Sequence, residues 1–174
     1  MSESKPIRQC TVEEAKLVFS LIRQRMHWMD EKGMDSWNRN HYDTIFPLAY
    51  YEQEAKQGRL YAWIDENDKI ISAAVLLEED PRWDSQEPSL YVHNFVSDPK
   101  TKSVGSQFLE AVEQYAHTLG KRYLRLDSAR NNLSLERYYT NLGFVAVGSC
   151  QEGEYQGILR QKEIRCQNSE NGLE

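Results

Sequence analysis

Cysteine is too scarce in this chain to organise the fold. Cys10, Cys150 and Cys166 form an odd set without metal-ligand spacing, in a chain large enough to bury a core without staples. That argues against a disulfide framework and against a metal site, and makes a reducing cytoplasm the expected location. Long hydrophobic runs are missing too. No stretch approaches the roughly twenty apolar residues that span a bilayer, and the opening MSESKPIRQC has no apolar segment of signal length. No membrane partner is expected. An excess of basic charge is likewise absent: 21 Lys and Arg stand against 27 Asp and Glu, a formal net charge of -6. Such a molecule repels nucleic acid as a whole, so no nucleic-acid partner is expected and an anionic ligand must find a local site. With neither repeats nor a linker, one domain is expected over residues 1–174, with 165–174 as a frayed tail.

Hydrophobic residues make up 40% of the chain, and their spacing marks the elements. Thr11 and Glu14 have the spacing of a capping box, and Ala15, Val18, Phe19, Ile22 and Met26 follow at helical intervals, predicting an amphipathic helix to about Glu31. The segment KGMDSWNRNHYDTIFP has no clean period and reads as loop or irregular helix before a short helix at 48–56. Runs at 60–64 and 70–77 flank Asp65-Glu66-Asn67-Asp68 as a hairpin, and 90–96 is the next strand. At about 100° per residue, Val104, Phe108, Ala111, Val112, Tyr115 and Leu119 share one helix face. Strand 123–126, helix 132–142 and strands 144–150 and 156–164 complete an α/β (α+β) mixed sheet with helices on its faces.

Two stretches carry chemistry. The helix opening at Ser103-Val104-Gly105-Ser106 follows a strand and a loop holding Lys100 and Lys102. Its unpaired N–H groups and positive dipole end would suit an anion, although a lysine loop is by default a solvated surface. In NNLSLERYYTNLGF, the helical projection places Leu135, Tyr138 and Leu142 in an apolar stripe. Tyr139 falls at its edge beside Asn132. Tyr138 is expected to pack and Tyr139 to present its hydroxyl; by spacing alone both would serve as core tyrosines.

This second stretch resembles the fourth motif of the GNAT family of N-acetyltransferases: Asn132, Leu135, Tyr139, Leu142, Gly143 and Phe144 take its places. Upstream, Tyr91-Val92-His93-Asn94-Phe95-Val96 resembles the family's splayed central strand. The family's loop reads Arg or Gln, two residues, Gly, one residue, then Gly or Ala. Lys100 to Gly105 fits it with Lys and Ser substituted, and a second alignment starts from Pro99 and makes Lys102 the basic residue. The resemblance implies a mostly antiparallel sheet of six to seven strands with about four helices. It also implies acetyl-CoA as cosubstrate, no metal, and in many members a homodimer.

On that resemblance, the pyrophosphate would lie on the amides of Ser103, Val104, Gly105 and Ser106 near Lys100 and Lys102. The pantetheine arm would pair with the open edge at Phe95 and Val96, and Asn132 would face the cofactor. A backbone N–H near Val96 would hold the oxyanion. Tyr139 would be the general acid, since a phenol near a pKa of about 10 faces a thiolate near about 8.5 and stays protonated while waiting. The implied activity is acetyl transfer to a primary amine of a small molecule, peptide or protein by direct attack in a ternary complex. The alternative is a non-catalytic acyl-CoA-binding or sensing domain. His93, the acidic run Glu78-Glu79-Asp80 and a water chain all stand as candidates for the base, although such a run reads first as a solvated turn. Trp28 and Trp37, clustered with Met26, Met29 and Met34, are candidates for an acceptor site together with Glu78 and His93.

Overall fold

The computed structural model describes residues 7–165. Its elements are β1 (Arg8–Gln9), α1 (Ala15–Glu31), α2 (Tyr42–Ile45), α3 (Leu48–Lys56), β2 (Leu60–Ile64), β3 (Ile70–Leu77), β4 (Ser89–Ser97), α4 (Val104–Thr118), β5 (Tyr123–Ala129), α5 (Leu133–Asn141), β6 (Val145–Glu152) and β7 (Tyr155–Glu163). The tail expected to fray lies outside the described residues, Arg165 apart. The irregular segment after α1 contains one helical turn, α2, which brings the helices among the described residues to five.

The seven strands form one sheet in the order β1-β2-β3-β4-β5-β7-β6. All neighbours are antiparallel except β4 and β5, which run parallel. This is the mixed, mostly antiparallel sheet the sequence leads one to expect. β3 shows why its run IISAAVLL is continuous rather than alternating: Ile70 through Leu76 are all buried, because helices cover both faces of the sheet. On one side α1 and α3 pack Val18, Ile22 and Tyr51 against Leu60 and Val75. On the other, α4 and α5 pack Phe108, Val112 and Tyr139 against Leu90 and Leu124.

Local chemistry sets the ends. Glu14 N–H donates to Thr11 Oγ1 at 3.2 Å while Thr11 N–H donates to Glu14 Oε1 at 3.0 Å, the reciprocal capping box read from the sequence. Arg8 reinforces it with two bonds to the Glu14 carboxylate at 2.8 and 2.7 Å. Asp65 N–H donates to Lys69 O at 2.9 Å across the β2–β3 hairpin. Gly143, at φ +95, turns α5 into β6. Among the described residues no helix is long and apolar enough to cross a membrane.

Candidate active site

The parallel ladder of β4 and β5 covers only Ser89↔Tyr123, Leu90↔Leu124 and Tyr91↔Arg125. Beyond it the strands part: β4 keeps β3 and β5 keeps β7, and the sheet opens into a notch. β4 is bulged at that point, with Val75 opposite His93 and Ala73 opposite Val96. Asn94 sits in the bulge in the left-handed region at φ 54. Asp98 N–H donates to Ile71 O at 2.8 Å, which makes 71/98 a hydrogen-bonded pair and, by antiparallel alternation, 73/96 the next. Val96 therefore turns its backbone groups to β3, where Ser72 Oγ also donates to its carbonyl at 2.8 Å. The groups of Phe95 and Ser97 face the notch.

Below the notch, α4 begins at Val104 with Ser103 as its N-cap at φ 64. A left-handed serine costs roughly 1–2 kcal/mol relative to glycine, and it stands where the loop starting at Lys100 places the family's glycine. The alternative alignment from Pro99 finds no such support. Gly105 is required for space: an ideal Cβ there would lie 2.9 Å from Tyr138 Oη, 3.1 Å from Phe95 Cζ and 3.3 Å from Ser97 Oγ. The helix opening, the end of β4 and Tyr138 thus meet at one throat, with backbone as the floor. Arg25 of α1 reaches in, donating from Nη2 to Ser97 O at 2.8 Å and to Ser97 Oγ at 3.0 Å, while stacking 4.7 Å over Trp28. Burial lowers the Arg25 pKa, partly offset by Asp98 and Tyr138. Lys100 and Lys102 are exposed on the loop, and Ser106 Oγ donates to Ser103 O at 3.0 Å.

Inside the notch His93 Nε2 lies 2.8 Å from Asp80 Oδ2, and the Asp80 side chain is only 4% exposed. Burial pushes the Asp80 carboxyl up, but hydrogen bonds from His93 and from the Arg82 N–H outweigh it and hold it below the usual carboxylate value. The acidic turn is therefore split. Asp80 is buried and paired, while Glu78 is exposed and binds Lys121 at 2.9 Å, away from His93. From β5, Asp127 accepts from Arg82 Nη1 at 3.1 Å and from Tyr155 Oη at 2.6 Å. Arg82 also pairs with Glu152. Asp80, His93 and Asp127 each offer a ligand-type atom within 4.8 Å of the others, and Arg82 supplies the balancing positive charge.

The tyrosine pair divides differently from the helical projection. Tyr139, 7% exposed, is the buried one, its ring 5.7 Å from Phe144, whereas Tyr138 is half-buried at the throat. α5 lies across the edge of the sheet, so the stripe of Leu135, Tyr138 and Leu142 rims the core and the flank carrying Tyr139 fills it. Burial, then Tyr138 and Asp127, raise the Tyr139 phenol above its ordinary pKa, which also places it within electrostatic reach of the Asp127 cluster. Asn132 caps α5, its Oδ1 accepting from Leu135 N–H at 3.1 Å. Trp37 stacks on Tyr42 at 4.3 Å, and Tyr42 reaches Asn94.

Arg25, Tyr42, Asp127 and Tyr155 went unmarked in the sequence reading, and Asn94 figured there only as part of the strand motif. Asp127 left one signal, a carboxylate in a strand otherwise rich in buried residues.

The sequence profile of the Acetyltransferase (GNAT) family matches residues 22–144. A relative from Bacillus subtilis, named as the uncharacterized N-acetyltransferase YesJ, is 21% identical over 162 residues, covering 87% of this chain and 86% of that protein. A GNAT-family acetyltransferase from Streptococcus agalactiae superposes with a TM-score of 0.76 at 14% identity, over 92% of this chain and 95% of that one. One from Listeria monocytogenes gives 0.72 at 20% identity, over 90% and 93%. The PaiA N-acetyltransferase of Thermoplasma acidophilum, solved in complex with coenzyme A, gives 0.67 at 16% identity, over 90% and 97%. With the profile spanning the helical cap, the notch and the loop below it, the chain belongs to the GNAT family of acetyltransferases.

Proposed function

We propose that the protein transfers the acetyl group of acetyl-CoA to a primary amine of a small molecule or peptide by direct attack in a ternary complex. The observation that carries this reading is the His93–Asp80 pair standing beside Asp127 where β4 and β5 part. Gly105 is bare because Tyr138, Phe95 and Ser97 crowd against it, which lets the end of β4 and α5 close on the opening of α4. There the amides of Ser103 to Ser106 would hold the pyrophosphate at a helix N-terminus, with Lys100 and Lys102 adding positive charge. The Phe95 and Ser97 edge of β4 would pair with the pantetheine arm.

His93, oriented by Asp80, takes the proton of the incoming ammonium, and the neutral amine forms the new N–C bond. Phe95 N–H receives the oxyanion, in place of the Val96 amide that is turned to β3. As the C–S bond breaks, Tyr139 protonates the departing thiolate, and the second amine proton, shed by the nitrogen as the amide forms, returns to the phenolate. Arg82 and Tyr155 hold Asp127 fixed, so its carboxylate can receive the cationic acceptor. The stacked Trp37 and Tyr42 form an aromatic wall on the acceptor side. The reading needs no metal. Cys10 and Cys150, both unpaired, suit the cytoplasm as its setting.

Thiol release from acetyl-CoA across a panel of primary amines tests this. At least one amine should give turnover, and His93→Ala should lower it by roughly 10²–10⁴. Binding of acetyl-CoA without release by any amine would favour the sensing domain instead.

A further inference from the structure

We propose that Asn94 is a positioning residue: pinned between the phenols of Tyr42 and Tyr50, it holds the β4 bulge in the backbone geometry that aims the Phe95 N–H into the notch. Its chemical purpose rests on the acetyl-transfer reading above, whereas its geometry stands on its own.

Asn94 lies inside a strand yet adopts φ 54, a conformation that extended neighbours on both sides do not favour. Asparagine tolerates the left-handed region better than most residues, but a lone asparagine there would still relax toward the extended form. Two hydrogen bonds oppose that relaxation. Asn94 Nδ2 donates to Tyr42 Oη at 2.7 Å, and Tyr50 Oη donates to Asn94 Oδ1 at 2.7 Å, so both ends of the carboxamide are held. Neither phenol gives way with pH, because burial raises both well above the ordinary tyrosine value.

The phenols are themselves held. Tyr42 stacks on Trp37 with rings 7° from parallel, and Tyr50 packs edge-on against the fully buried Tyr51. The peptide linking Asn94 to Phe95 takes its direction from this clamp. Rotating Asn94 to an extended form would remove the bulge and shift the alternation that puts Phe95 on the notch side and Val96 on the β3 side. The clamp comes from the α2 and α3 side, which also forms the aromatic wall. The segment that faces the acceptor therefore sets the donor that faces the acetyl carbonyl.

A mispositioned oxyanion donor lowers turnover on the order of tenfold to a hundredfold. The anion cradle at α4 is separate, so CoA affinity should fall far less than turnover, even though the Phe95 edge also pairs with the pantetheine arm. Asn94→Gly separates the two effects, because glycine keeps the positive φ available without the carboxamide. Tyr50→Phe removes one bond and leaves the bulge residue in place.

The test combines steady-state kinetics on full-length wild type, Asn94→Gly and Tyr50→Phe with the amide resonance of Phe95 in ¹⁵N-labelled protein titrated with CoA and with acetyl-CoA. The clamp predicts that in wild type the acetyl group shifts the Phe95 amide relative to CoA alone. In both variants that difference shrinks and kcat falls by much more than CoA affinity does. It is overturned by an Asn94→Gly protein with wild-type kcat, by a loss confined to CoA affinity, or by a Phe95 amide indifferent to the acetyl group. Should wild type acetylate no amine, the acetyl-transfer reading fails and the amide alone decides. A response present in wild type and lost in Asn94→Gly supports the clamp, and equal responses refute it.

Discussion

Replacing Tyr139 by phenylalanine removes one hydroxyl and little else. The ring keeps its contacts, 5.2 Å to Tyr138 and 5.7 Å to Phe144, in a side chain that is 7% exposed. Loss of one hydroxyl should change stability by no more than about 1 kcal/mol, or roughly 2–4 °C in melting temperature for a chain of this length. Loss of a general acid is larger, roughly 10²–10⁴ in rate, which is about 3–5 kcal/mol of transition-state stabilisation. The asymmetry is the signature. Because burial holds the Tyr139 phenol above its ordinary pKa, it remains a proton donor across the working range, and the deficit should not vary between pH 6 and 9, roughly. The assay is kcat by thiol release, paired with acetyl-CoA affinity by calorimetry and a thermal melt. Tyr138→Phe is the control: its hydroxyl stands at the throat near Gly105, so it should alter the KM for acetyl-CoA and spare kcat. A Tyr139→Phe protein with kcat within about threefold of wild type, or one impaired only in cofactor affinity, would refute the general-acid assignment.

Gly105→Ala places a methyl group 2.9 Å from Tyr138 Oη and 3.1 Å from Phe95 Cζ. It should cost about 1–3 kcal/mol in chemical denaturation and weaken CoA binding in a titration. Asp80→Asn removes the negative charge 2.8 Å from His93 Nε2 and should lower kcat by roughly tenfold to a hundredfold with little change in acetyl-CoA KM, read from the same kinetics. Arg8 and the Thr11 backbone hold the Glu14 carboxyl down at about 2 against an ordinary 4.5. A lowered carboxyl stabilises above its unfolded value and loses that contribution as pH falls through the folded one, so the melting-point gap between wild type and Glu14→Gln should close from pH 4.5 down to 2. Arg8 is the more exposed partner and solvent screens the pair, so the gap should be small. Burial pushes the Cys10 thiol up to about 12, and folded protein should resist iodoacetamide at Cys10 until denaturant is added, followed by peptide mass mapping.

How much of this was legible follows the range of the forces involved. Local patterns read well: the strand bounds 60–64 and 70–77 match β2 and β3, and the Thr11–Glu14 box closes as expected. Those features depend on neighbours a few residues apart. α2 read only as loop or irregular helix, because its single turn is held by aromatic stacking between Trp37, Tyr42 and Phe46 rather than by an apolar period. The roles of Tyr138 and Tyr139 were drawn from a projection that ranks faces by hydrophobicity, while the position of α5 against the sheet decided burial. The Asp80–His93 pair joins residues thirteen apart, Asp127 meets Tyr155 across twenty-eight, and Tyr50 meets Asn94 across forty-four, so only the folded sheet makes them neighbours. The bulge at Asn94 has no sequence marker beyond asparagine itself, since its conformation is imposed by two distant phenols.

The most direct measurement is a calorimetric titration of acetyl-CoA into wild type and Ser106→Asp. A carboxylate in the first turn of α4 suits the helix dipole, so the fold should hold, but it opposes a pyrophosphate at the same amides. Saturable one-to-one binding to wild type, lost in a variant that still melts cooperatively, is the predicted result. No binding to wild type, or equal binding to both proteins, would contradict the placement of acetyl-CoA at the β4–α4 throat.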